Sequence, residues 1–191
     1  MNKIRYGLKN VHYAPLTFPS GVSTFGTPVK IPGSVSLSMS KNSEDINFYA
    51  DDGVYFALGD NSSFDGELEL ALIPDGFHTS MLGDTLDDNN VLATKGDQER
   101  GHFALLFEFA GDQKGIRHVI YNCTASPDGD TSGETKKQGI EVKTEKLKLS
   151  AMPLPDTNYV KAKTGDTTDS TVYDDWYDSV YTPTVTTTGN G

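Results

Sequence analysis

Cysteine occurs once in the 191 residues, as Cys123. No disulfide can form within the chain, which fits synthesis in a reducing cytoplasm. No apolar run is long enough to span a bilayer. The opening Met-Asn-Lys-Ile-Arg-Tyr-Gly has no hydrophobic stretch of the secretory kind, so no signal peptide is expected. Basic residues are in deficit, 16 against 27 acidic ones, for a formal charge of −11. Such a chain repels nucleic acid rather than gripping it. The plain consequence is solubility, and the sharper one is a surface that DNA passes without sticking.

Motifs of chemistry are missing as well. His12, His78, His102 and His118 lack the paired spacing of a zinc site. There is neither a Gly-x-Ser-x-Gly elbow nor a Gly-Lys-Ser/Thr phosphate loop. Asp128-Gly129-Asp130-Thr131-Ser132-Gly133 begins like a calcium loop. Its twelfth position is Gly139 instead of Glu, and no helices are expected beside it, so a turn-rich loop is the better assignment. Cys123 lies in a β-rich stretch and is expected to be packed rather than nucleophilic. Asn122-Cys123-Thr124 matches a glycosylation acceptor without a secretory route to use it. No internal repeat is visible. No catalytic residue, cofactor or metal is expected, and the chain is not expected to be an enzyme.

What is present is strand periodicity. In Phe64 to Phe77, Leu68, Leu70 and Leu72 alternate with Glu67, Glu69 and Ala71, the period of two of a half-buried strand. Pro74 ends it. Asp75 is placed to cap a short helix carrying Phe77, Met81 and Leu82, with Gly83 as its stop. Ser34 to Lys41 alternates serine with Val35, Leu37 and Met39, which are expected to face a core. Further strands are expected at Lys9 to Ala14, Val91 to Thr94, His102 to Phe109, Arg117 to Cys123, Gly139 to Ser150 and Tyr159 to Lys163. The segment His102 to Phe109 is apolar on both faces and reads as a central buried strand. Pro15 to Pro28 and Ser126 to Gly139 read as loops.

Two segments stand apart. Lys41 to Ser63 is too long for a turn. It contains Ile46 to Ala50 and Val54 to Leu58 around Asp51-Asp52-Gly53, the pattern of a hairpin. Phe48, Tyr49, Tyr55 and Phe56 give it more aromatic surface than a lone hairpin covers. It either folds onto its own domain or inserts into a neighbour. Near the C-terminus, Val172, Trp176 and Val180 are spaced by four, as are Tyr173, Tyr177 and Tyr181. They make one face of a helix over 171–181, opposite Asp174, Asp175 and Asp178. Asp169 or Ser170 is placed to cap it, and Pro183 follows. The Tyr173, Trp176 and Tyr177 face is expected to pack on the sheet or on another subunit. Residues 184–191 are expected to be disordered.

Several segments together resemble the major tail proteins of phages with long non-contractile tails. They are Tyr6-Gly7-Leu8-Lys9-Asn10-Val11-His12-Tyr13-Ala14, Ile31-Pro32-Gly33, Tyr49-Ala50-Asp51 and Gly66 through Asp75. Phe103 through Phe109 and Arg117 through Cys123 continue the match. The resemblance covers most of the chain in the same order. It implies a mainly β fold, a β-sandwich or open barrel with one short flanking helix and a C-terminal helix. The tail-tube domain is then 1–165 with a protruding hairpin at 41–63, and 166–191 is an extension. It implies a virion structural protein whose six copies form a ring, with rings stacked into the tail tube that conducts DNA on ejection. Its implied partners are itself, the tape measure protein, the tail terminator and distal tail proteins. DNA would pass the lumen without specific binding. The hairpin, through Phe48, Tyr49, Asp51, Asp52, Tyr55 and Phe56, is expected to tie ring to ring, mobile in the free subunit and ordered in the tube. The other function considered is a monomeric β-sandwich module that binds carbohydrate or a cell surface, using exposed Tyr and Trp as platforms.

Overall fold

The structure is a computed structural model that describes residues 7–42, 45–50, 53–59, 63–110, 115–128 and 143–184, with residues 45–59 described by their backbone alone. The loop assigned to 126–139, Ile140 and Val142, the tip Asp51 and Asp52, and the chain end beyond 184 lie wholly or mostly outside the described residues.

In chain order the elements are β1 (Leu8–Thr17), β2 (Thr24–Phe25), β3 (Val29–Lys30), β4 (Ser34–Asn42), β5 (Asp45–Ala50), β6 (Gly53–Gly59) and β7 (Ser63–Leu70). Then come α1 (Asp75–Phe77), β8 (Thr85–Leu86), β9 (Leu92–Ala93), β10 (His102–Phe109), β11 (Arg117–Pro127), β12 (Glu145–Ala151), β13 (Lys161–Lys163) and α2 (Ser170–Asp174). The chain is mainly β. One nine-stranded antiparallel sheet runs β2-β1-β10-β11-β12-β7-β4, with β3 beside β1 and β13 beside β11. It curls until β4 comes back against β1, an open barrel flattened into two layers.

Side-chain alternation sorts the apolar residues between two cores. One lies inside the barrel, where Leu68, Leu70, Phe103, Leu105, Leu147 and Leu149 meet Phe77, Met81 and Leu82. The other lies on the outer face of β1, β10 and β11, where Leu16, Leu106, Val119 and Tyr121 meet Leu154 and Trp176. β10 therefore buries both faces, as its unbroken apolar run requires. Cys123 is wholly buried in the first core, and burial pushes its thiol pKa up to about 12, which leaves it inert as a nucleophile.

Several expected boundaries move. β1 does not end at Ala14 but runs to Thr17, through Pro15. Pro15 lies opposite Phe103, and its carbonyl accepts from Gly26 N at 2.7 Å, so only its missing donor is lost to the ladder. β7 stops at Leu70, and Leu72 is 66% exposed instead of buried. The chain turns there because Ala71 N donates to Gly33 O at 2.8 Å, taking Leu72 off the strand's inner face. Val35 is also exposed, because the β4–β7 register shifts between Ser34 and Ser36. Leu37 and Met39 do pack on the first core. Asp75 is not the cap of the short helix. Pro74 holds the cap position, and Asp75 occupies the first turn, where its charge suits the helix dipole. One π turn follows over His78–Leu82, ended by Gly83 at φ 84°. Gly66 opposes Met39, and a Cβ there would collide with the Ser38 carbonyl. Glycine lets β4 and β7 approach at that row.

Candidate assembly surfaces

β4 is nine residues long and, among the described residues, pairs on one side only, with β7. Its other edge leaves a row of backbone donors and acceptors facing outward. It carries no proline, and Lys41 near its end is its one charged residue. Past the bulge between Ser34 and Ser36, neither proline nor charge blunts the edge before Lys41.

Beside that edge the outer face of β4, β7, β12 and the end of β11 is a polar grid. Ser36, Glu69 and Lys146 stand in one cross-strand row, Ser38, Glu67, Lys148 and Ser126 in the next, and Ser40, Asp65, Ser150 and Thr124 in the third. The charges are tied to one another. Lys146 Nζ sits 2.8 Å from Glu67 Oε1, and Lys148 Nζ sits 2.7 Å from Asp128 Oδ1. Glu69 accepts from Thr144 Oγ1 at 2.5 Å and from Ser36 Oγ at 2.9 Å, which lowers its pKa from the usual carboxylate value. Each pair is exposed and stabilises little by itself. Together they occupy the lysines, so an incoming phosphate must displace a carboxylate to be held.

β5 and β6 form a two-stranded sheet of their own, continuing from the point where Asn42 and Ser63 are paired at the end of β4 and β7. Phe48 and Phe56 are opposite in the register, as are Tyr49 and Val54. Tyr55 falls at the register shift between those pairs. The hairpin expected from the sequence is therefore present as a backbone ladder.

The C-terminal segment covers the second core. Asp169 caps α2 by accepting from Thr171 N at 2.8 Å. The helix is shorter than 171–181. After Asp174 it tightens into one 3₁₀ turn over Asp175–Tyr177 and ends. Trp176 is 2% exposed, lies among the outer-face residues of β10 and β11, and donates from Nε1 to His118 O at 3.4 Å. Tyr181 stacks on it at 5.6 Å, and Tyr121 donates to the Tyr181 carbonyl at 2.8 Å.

Tyr173 and Tyr177 belong to a polar knot that the sequence pattern did not reveal. Its centre is Glu108, 4% exposed near the end of β10. Asn10 Nδ2 donates to it at 2.7 Å, Lys9 Nζ lies at 3.1 Å, and Arg117 Nε lies at 3.7 Å. Asn10 reaches it because β1 bulges between Lys9 and His12 with Asn10 at φ 52°, a conformation asparagine tolerates. The Arg117 guanidinium lies 3.9 Å from the Tyr173 ring centre and 5.0 Å from that of Tyr177, and it donates to the Tyr173 carbonyl. Tyr173 Oη donates to Gly115 O at 3.0 Å. Burial, then the nearby Glu108 charge, pushes the Tyr177 phenol far above its ordinary pKa. The one available sequence signal was a carboxylate inside an all-apolar strand, which demands buried partners.

His12 packs on Tyr177 with the ring centres 4.7 Å apart and the planes tilted by 30°, and it donates from Nδ1 to Asn10 O at 2.9 Å. Burial lowers its pKa below 6.5, the Asn10 carbonyl opposes that, and the Lys30 charge adds to it. Below pH 6.5 the unfolded chain therefore binds more protons than the folded one. Stability is full above 6.5 and declines as pH falls from there toward the depressed folded value, then levels off. His12→Gln is expected to flatten this part of the curve in urea unfolding between about pH 7.5 and 5.5. Equal slopes for both proteins would contradict the assignment.

Among the described residues no cluster of His, Cys, Asp and Glu is arranged to hold a metal ion, and no helix is long and apolar enough to cross a membrane. No family model and no curated protein matches the chain. Among solved structures, the chain is similar to the anti-feeding prophage cap, described as the AFP tube terminating cap. The TM-score is 0.44 and the identity 12%, over 84% of this chain and 93% of that one.

Proposed function

We propose that the chain is the tail-tube protein of a long-tailed, non-contractile phage, a virion component without catalytic activity. Six copies close a ring, rings stack into the tube, and DNA leaves through the lumen. The observation that carries this reading is the β4 edge. Past the bulge between Ser34 and Ser36 it is regular, and no proline or charge blunts it before Lys41, whereas a soluble monomer covers or blunts such an edge. Ring closure removes it, because each subunit's edge is met by the next. The polar grid beside β4 then lines the lumen, where its lysines are already engaged by carboxylates and DNA finds few cations to hold it. The C-terminal helix and the second core fall on the side away from that face. The tape measure, terminator and distal tail proteins are the other partners of such a tube. The phenolic and aliphatic residues of the hairpin supply contacts to another copy.

The competing reading, a monomeric carbohydrate-binding module, needs exposed aromatic platforms. Trp176, the single tryptophan, is buried, which removes its best candidate. The two readings separate in one experiment. Purified protein taken to high concentration and imaged by negative-stain electron microscopy is expected to show rings or tubes. Particles that stay monomeric at every concentration would refute the tube.

A further inference from the structure

The polar grid has a second open margin, opposite β4. β10 begins at His102, and its ladder with β11 reaches only to the Phe103–Cys123 pair. β11 itself runs on to Pro127. Ala125, Ser126 and Pro127 pair with β12 on one side. Among the described residues no backbone group pairs with them on the other side. β4, β7, β12 and the end of β11 are thus a run of four strands with an unpaired edge at each margin. A chain cannot join these two edges to each other. β7 and β12 stand between them, which separates the margins by about 14 Å at roughly 4.8 Å per strand spacing.

Direction and facing fit the two margins to each other across a pair of copies. Each neighbouring pair in the run is antiparallel, so three steps leave β11 running opposite to β4. Copies related by rotation about one axis keep their strand directions along that axis. β4 of one copy therefore meets the end of β11 of the next in the antiparallel sense, like every other pair in the run. Facing agrees as well. Ser36, Ser38 and Ser40 share the grid face with Thr124 and Ser126, while Leu37, Met39 and Ala125 pack in the first core. Polar residues then continue polar ones across the seam, and apolar residues continue apolar ones. The remaining edges do not offer this. β1 already carries β2 and β3 beside it, and its outer face belongs to the second core under Trp176. β13 is three residues long and sits at the Arg117 end of β11, away from the grid.

From this, and resting on the tube reading above, we infer that the β4 edge of each subunit pairs with Ala125–Pro127 of β11 in the next subunit of the same ring. Ser126 then lies opposite Ser36, Ser38 or Ser40. The residues between them in β4 are excluded as partners, because Leu37 and Met39 point to the core and a pleated pair shares one face. Repeated around the axis, this heterologous contact closes the ring.

Crosslinking between differently labelled chains tests this on the full chain, with native Cys123 silent because it is wholly buried. Chains carrying Ser126→Cys are mixed with isotope-labelled chains carrying Ser36→Cys, Ser38→Cys or Ser40→Cys, assembled, and treated with a short thiol-to-thiol crosslinker. Mass spectrometry is expected to find, in at least one of the three mixtures, a peptide that joins a labelled chain to an unlabelled one. The same β4 variants are mixed with chains carrying Lys30→Cys on β3 or Lys163→Cys on β13, and no such peptide is expected. Rings in which β4 links to position 30 or 163, or links to position 126 in none of the mixtures, would overturn the inference and leave the tube intact. Wild-type protein that forms no ring would overturn the tube reading itself. Hydrogen exchange on the wild-type protein gives a second measurement. Peptides covering β4 and peptides covering Ala125–Pro127 are expected to gain protection together when rings form. Protection gained by β4 alone would also overturn the inference.

Discussion

Replacing residues 43–62 with a two-residue Gly-Ser linker is expected to leave the β domain folded and to abolish its assembly. The two halves of this result have separate causes. Asn42 and Ser63 are already opposite in the β4–β7 register, so a two-residue connection turns the pair into an ordinary hairpin. The shorter loop lowers the entropic cost of closing it, and both cores keep all the residues that define them. Circular dichroism and the urea midpoint should therefore match the parent. On the proposed reading, assembly then loses the aromatic and acidic segment that contacts other copies. Electron microscopy of the shortened protein should show single subunits at concentrations where the parent forms rings. Long tubes built by the shortened chain would refute the hairpin's role, and an unfolded product would refute its independence from the domain.

The parts of the fold legible in the sequence are those fixed by local period. The alternation of Ser34 to Lys41 and of Leu68 and Leu70, the all-apolar run of β10, and the Asp-Asp-Gly hairpin each state their own secondary structure. The strands they predict are present, the hairpin as a two-stranded sheet of its own. What escaped depends on distant partners. Leu72 follows the strand period, but the Ala71 bond to Gly33 bends the chain before it. Pro15 looks like a stop, yet it lies where its missing donor costs one ladder bond only. Tyr177 to Tyr181 continue the helical spacing, but the Tyr121 hydroxyl claims the Tyr181 carbonyl and draws that stretch along the sheet. The knot around Glu108 joins β1, β10, β11 and α2, and the open end of β11 arises because its ladder with β10 stops at Cys123. No window of sequence contains either.

Trp176→Ala is expected to cost about 3 to 5 kcal/mol, the range for deleting a large aromatic side chain from a packed site. The side chain is 2% exposed and fills the space between the outer-face residues of β10 and β11 and Tyr181. A neighbouring side chain cannot simply move in. Tyr181 is held through its own carbonyl by Tyr121, and Tyr177 is held at the Glu108–Arg117 knot. The cavity therefore persists, which places the cost toward the upper part of the range. Loss of the bond to the His118 carbonyl removes a further anchor. Trp176→Phe keeps most of the apolar contact and loses the indole N–H, so it should fall well short of the alanine cost. Guanidinium unfolding of the two variants beside the parent, read at Tm and at the denaturant midpoint, gives the comparison. An alanine variant within about 1 kcal/mol of the parent would mean that the C-terminal segment does not close the second core. Destabilisation of the expected size would mean that the segment is part of the folded domain. The outer face of β1, β10 and β11 would then be covered within each subunit, leaving the β4 edge and the hairpin end to meet other copies.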